Sequence, residues 1–122
     1  MTEYVVLLPG DERTWLEADP ETRRRVYATH EEFSRLLAER GHTITGGAEL
    51  EHSSKAKVVR GERGSVTVTD GPYTEAVEQL SGFYVVRSDD LDDLLDLCGL
   101  LAGAEGVEVR AAVPSSDPEV TG

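Results

Sequence analysis

Two short apolar runs, residues 4–8 (YVVLL) and 83–86 (FYVV), each stand ahead of a long amphipathic stretch, and this pairing constrains the fold more than any other feature. Both runs are rich in β-branched or aromatic residues and neither alternates with polar ones, which marks strands buried on two faces. Pro9-Gly10-Asp11 follows the first run, and the strand is expected to end there. Asp19 and Pro20 supply an N-cap and a first helical position, so a helix is expected over residues 20–40, stopped by Gly41. Val26, His30, Phe33 and Leu37 recur along it at helical spacing and define its inward stripe. After the second run, Ser88 is the expected cap of a helix whose stripe is Leu91, Leu94, Leu95, Cys98, Leu101 and Ala102.

Between these units, residues 42–50 form a short strand with a bend or bulge at Gly46-Gly47. Residues 56–60 and 65–69 form a hairpin closed by residues 61–64 (GERG), after which Asp70-Gly71-Pro72 turns the chain. The turn reading requires a positive φ at Gly71. Val107, Val109 and Ala111 alternate with Glu108 and Arg110 as a last strand. The order predicts an α+β fold, a ferredoxin-like βαββαβ plan with an extra β-hairpin. One domain over residues 1–113 and a disordered C-terminal tail over 114–122 account for the whole chain. Two helices cover one face of such a sheet, yet the strands that precede them are apolar on both. A homodimer, sheet against sheet, is the simplest way to cover the second face.

Charge and composition narrow the partners. A net charge of -12 on 122 residues, with its cations scattered, opposes nucleic acid. No segment is long and apolar enough for a membrane. The amino terminus has no secretory pattern and the lone Cys98 cannot form an internal disulfide, so the expected location is cytoplasmic.

The most distinctive stretch is Asp70-Gly71-Pro72-Tyr73-Thr74-Glu75-Ala76-Val77-Glu78, with Gly82 and Phe83 opening the next strand. It resembles the YCII-related family, in particular the branch named for its DGPF motif. Tyr73 stands where that motif has Phe, and Val77 where it has Lys. Gly10-Asp11-Glu12, Trp15, His30 and Gly46-Gly47 extend the resemblance over most of the chain. The resemblance implies a dimeric α+β barrel, found mostly in bacteria and often without an assigned reaction. Members of the wider family carry a His and Asp pair proposed as an active site. His30 matches the histidine, and Glu49 is the acid this chain offers after the glycine bend.

Two functions compete. The first is a small-molecule enzyme without cofactor, carrying out proton transfer, elimination or isomerisation in a cleft with His30 and Asp70 as catalytic groups. Trp15, Arg23, Tyr73, Glu75 and Glu78 are its binding candidates, with Arg23 placed to reach an anion on the His30 side. The second is a non-enzymatic small-ligand-binding or regulatory module, since the resemblance brings an expected association with alternative sigma factor systems. The structural readings of the same residues are a turn that seats Tyr73 in a core or interface and a buried neutral His30. His42 and His52 lack ligand spacing to a second His or Cys, so no metal is expected, and Cys98 reads as a small core residue. A phosphate-binding loop, a dinucleotide fingerprint and a nucleophile elbow are all absent from the sequence.

Overall fold

A computed structural model describes residues 1–114 apart from Glu75, Val77 and Ala104. The candidate Glu75, the substituted Val77 and the tail from residue 115 therefore lie outside the described residues. The elements in chain order are strand β1 (Thr2–Asp11), helices α1 (Glu12–Glu17) and α2 (Pro20–Glu39), β2 (Thr43–Glu49), a 3-10 turn (Ser53–Lys55), β3 (Lys57–Arg60), β4 (Thr67–Asp70), β5 (Glu78–Ser88), α3 (Leu91–Ala102) and β6 (Glu108–Ala111). The fold is α+β. Four strands form an antiparallel sheet in the order β2-β5-β1-β6, while among the described residues β3 and β4 pair only with each other. The two unbroken apolar runs thus occupy the two central strands, where burial is greatest.

Several local expectations are corrected. β1 does not end at Pro9 but continues past a register shift between Leu8 and Pro9. A bulge tolerates a residue that has no N–H to give the ladder. Asp11 is then not a turn residue alone, because its carboxylate accepts the Arg13 and Thr14 amides and starts α1, a helix the sequence reading missed. Six residues are too few to show a periodic stripe. The hairpin loop spans residues 61–66, closed by the Ser65 amide on the Glu62 carbonyl, and Asp70 is the last residue of β4. Gly71 lacks the positive φ expected of it. Its constraint is space, since a Cβ there would meet the Ala56 and Val58 side chains at 3.0 and 3.2 Å. The cap of α3 is Asp90, which accepts the Asp93 amide, whereas Ser88 receives the Asp90 amide.

Two expectations are borne out in detail. Asp19 caps α2 by accepting the Thr22 amide, with Pro20 in first position. The glycine bend in β2 coincides with a register shift between Ile44 and Gly46. Gly47 has φ +145 and passes so close to β5 that a Cβ would lie 2.5 Å from the Phe83 carbonyl oxygen.

The core consists of Val6, Phe33, Leu37, Val86, Leu94, Leu97 and Cys98. Leu97 takes the place expected of Leu95, which is 44% exposed. Successive helix residues lie about 100° apart, so the seam through Leu94, Leu97 and Cys98 turns Leu95 outward. Leu91 and Val26 also lie exposed at the margins of their stripes. Strand alternation places Val6 and Val86 under the helices, and Val5, Leu7, Phe83 and Val85, partners in the same ladder, on the opposite face. No helix among the described residues is long and apolar enough to cross a membrane.

Candidate functional site

His30 lies on α2 one turn before Phe33 and two before Leu37, the residues that seat this helix on the sheet. That placement holds its ring half-buried against Tyr84 of β5. His30 Nδ1 lies 2.8 Å from the Tyr84 hydroxyl, with ring centroids 5.9 Å apart at 29°. Phe33 of the same helix also packs on Tyr84, with ring centroids 5.3 Å apart, and restrains the phenol ring. Burial pushes the His30 imidazole below its ordinary range, and the charge of Glu49 offsets part of that. The ring is therefore neutral near pH 7. Burial pushes the Tyr84 phenol up, against a bond from Ser34 that lowers it. The tautomer of the ring decides which partner donates in the His30–Tyr84 bond, and the phenol oxygen can accept the Nδ1 proton.

An open pocket of about 460 Å³ adjoins this pair, lined by Tyr27, His30, Glu31, Ser34 and Tyr84. Tyr27 donates its hydroxyl to Glu49 Oε1 at 2.8 Å, a bond that pushes the Tyr27 phenol up. Glu49 thus sits near His30 but is held by Tyr27 in this arrangement. Tyr84 was not singled out from sequence, because it belongs to an apolar strand run. Its alternation with Phe83 and Val85 was the available signal.

The remaining candidates divide between two places. Trp15 meets Tyr27 edge to face at 5.7 Å, and the Arg23 guanidinium lies 5.2 Å from the Trp15 ring. Arg23 Nη2 donates to the carbonyls of Trp15 and Leu16 at 2.9 and 3.2 Å, so it clasps α1 to α2. The structure brings Trp15 and Arg23 together beside Tyr27, at the edge of the His30 pocket. Asp70 is at the hairpin, bonded by Lys57, which lowers its carboxyl. Tyr73 is 82% exposed, with the Arg60 guanidinium 5.9 Å from its ring centre. Glu78 begins β5 opposite Asp11 and is exposed. Neither Asp70 nor Tyr73 lines the His30 pocket.

A second depression of about 250 Å³ lies between the 3-10 turn and Gly71-Pro72, lined by His52, Ser53, Ser54, Gly71, Pro72, Ala76 and Gln79. Behind it the Ser53 amide donates to Glu12 Oε2 at 2.6 Å, its hydroxyl donates to Oε1, and His52 Nε2 is 3.8 Å from Oε1. Burial alone raises the Glu12 carboxyl, but the two Ser53 bonds and His52 outweigh it and lower it.

Sequence reasoning missed the role of His42, which is buried. Its Nδ1 meets Ser88 Oγ at 2.8 Å and its Nε2 meets Asp93 Oδ2 at 2.8 Å, while Arg40 pairs with the same carboxylate. The three residues lie on or beside β2, β5 and α3, so no local spacing announces them. A Ser, His and carboxylate in this order suggest a nucleophile, yet Ser88 is almost wholly buried and bonded to the Asp90 backbone. The cluster is a structural lock. Cys98 is also buried, and burial pushes its thiol up to about 11, which suppresses the nucleophilic thiolate. Among the described residues no group of His, Cys, Asp or Glu is arranged to hold a metal ion.

Two comparisons bear on this arrangement. The family model described as the YCII-related domain matches residues 2–110. An uncharacterized protein of Rhizobium meliloti (strain 1021) is 33% identical over 101 residues, spanning 83% of this chain and 81% of that protein.

Proposed function

The chain belongs to the YCII-related family, and on that premise we propose that it is a cofactor-independent small-molecule enzyme in which His30 moves a proton during elimination or isomerisation. The observation that carries this reading is the bond between His30 Nδ1 and the Tyr84 hydroxyl at the wall of an open pocket. With Nδ1 committed to Tyr84, Nε2 is the nitrogen left for a substrate. When the Tyr84 oxygen accepts the Nδ1 proton, Nε2 presents a lone pair and takes a proton from the substrate, giving an imidazolium. The depressed affinity of His30 for that proton favours its return to another atom of the same substrate. Tyr84 sets the tautomer, the part that an acid plays in other histidine pairs.

Tyr27 and Glu49 form the second half of the site. A substrate hydroxyl or carbonyl that displaces the bond between them would meet either a donor or an acceptor. This site departs from a direct His and carboxylate pair, with a phenol on the histidine and the acid one bond further away. We read the architecture as ferredoxin-like, in the DGPF branch, with a homodimer formed through the sheet face carrying Val5, Leu7, Phe83 and Val85. Support for the dimer comes from those four apolar side chains, which α2 and α3 leave uncovered.

The test is exchange of substrate protons in D₂O. A panel of small ketones, 2-oxo acids and lactones is incubated with the protein and followed by proton NMR. Exchange at carbon beside a carbonyl, lost in His30→Gln and retained in Asp70→Asn, is expected. If no compound exchanges while one binds saturably in the His30 pocket, the chain is a binding module instead.

A further inference from the structure

Two carboxylates, Glu31 and Glu49, border the His30 pocket, and neither has a cationic partner among the described residues. The pocket is lined by Tyr27, His30, Glu31, Ser34 and Tyr84, with no lysine or arginine. Glu31 is exposed, and Arg35, its neighbour one turn on, pairs with Glu32 and Glu39 instead. Glu49 is exposed too. Tyr27 occupies its Oε1, and among the described residues Oε2 has no hydrogen-bond partner.

The arginines nearby do not cancel this charge. Arg23 is one turn before Tyr27, but its Nη2 is held by the Trp15 and Leu16 carbonyls and its guanidinium lies against the Trp15 ring. Its charge acts on Tyr27, whereas that of Glu49 acts on both Tyr27 and His30. Arg24 is two turns before Glu31, about 10 Å along the helix axis. A neutral imidazole, two carboxylates and the faces of two phenols therefore meet an incoming ligand, and such a set attracts a cation. The net charge of -12 draws cations towards the protein and repels anions. A protonated amine beside a carbonyl also serves the reaction. It stabilises the electron pair left on the substrate when His30 Nε2 takes a carbon-bound proton.

We propose that the His30 pocket selects substrates bearing a protonated amine, with Glu49 Oε2 and Glu31 receiving its N–H groups while Tyr27 holds Glu49 in place. This rests on the reading of that pocket as a substrate site and adds the charge its substrate carries. Three probes of similar shape test it: phenethylammonium, phenethyl alcohol and phenylpropanoate, each titrated near neutral pH and followed on the His30 imidazole proton signals. The ammonium is expected to bind about tenfold more tightly than the alcohol at low salt, and the carboxylate most weakly. About 0.5 M sodium chloride should shrink that advantage. The Glu31→Gln, Glu49→Gln double variant should abolish it; both side chains are exposed, and glutamine at position 49 still accepts the Tyr27 hydroxyl. Equal binding of ammonium and alcohol, tighter binding of phenylpropanoate, no saturable binding of the ammonium, or a preference that survives in the double variant would each overturn the inference. An ammonium preference without exchange of the carbon-bound protons of aminoacetone in D₂O would uphold the preference and remove proton transfer.

Discussion

His30 on α2 and Tyr84 on β5 are separated by 54 positions in the sequence and by 2.8 Å between Nδ1 and the phenol oxygen. The bond ties the one histidine of the helix stripe to the one hydroxyl among residues 83–86, and it sets which ring nitrogen is left for chemistry. Its effect on titration follows directly. The His30 imidazole is expected to titrate below its ordinary 6.5, chiefly because of burial. In Tyr84→Phe the ring loses the oxygen that accepts its Nδ1 proton and favours the imidazolium, and the midpoint is expected to move further down. Carbon-detected or proton NMR of the imidazole measures both. A midpoint above 6.5 in the unmodified protein, or an upward move in the variant, would contradict this assignment.

Acid stability carries the same signature. A histidine whose folded pKa is depressed binds its proton more readily when unfolded, so its contribution is fully present above about pH 6.5 and declines as pH falls towards the folded value. Glu12 is also depressed, and its contribution is present above its ordinary 4.5 and is lost as pH falls through the folded value. Thermal melts from pH 8 to about 2.5 are expected to fall in two stages. His30→Gln should remove the upper stage, and Ser53→Ala should shrink the lower one.

The buried lock around His42 predicts a different outcome. His42→Ala strips partners from Ser88 and Asp93 and leaves Arg40 facing a carboxylate without its second contact. Loss of about 2 to 4 kcal/mol in urea unfolding is expected, in the range for breaking a buried polar network. Exchange activity in the His30 pocket should persist at temperatures where the variant remains folded.

Gly47 is the tightest backbone position with a positive φ. A methyl group there would press on the Phe83 carbonyl at 2.5 Å, in a conformation that L residues avoid. Gly47→Ala is expected to cost at least about 1 kcal/mol. Gly41→Ala also strains a positive φ but meets no atom within 4 Å, so it should cost less. Equal losses in the two would show that contact with β5 contributes nothing.

Periodicity and turn chemistry located α2 with its cap, the two central strands, the bulge in β2 and the hairpin, because each is a property of a few adjacent residues. α1 escaped because six residues hold less than two turns, and the N-cap role of Asp11 was hidden by the turn residues around it. Leu95 and Leu97 were exchanged in the expected core because several leucine stripes of α3 satisfy the same spacing. Only contact with α2 and the sheet selects one.

What the sequence determined by itself is the class of fold and the place of His30 on the inward stripe of α2, since hydrophobic spacing is local information. The partners of that histidine were decided by tertiary structure. Strand register placed the Tyr84 hydroxyl, and not a carboxylate, on His30 Nδ1, and gave Glu49 to Tyr27. The same register took His42, which local sequence placed at the start of a short strand with no partner in view, and buried it between Ser88 and Asp93. Hydrogen-bond partners far apart in the chain depend on how elements dock, and docking depends on the whole core at once.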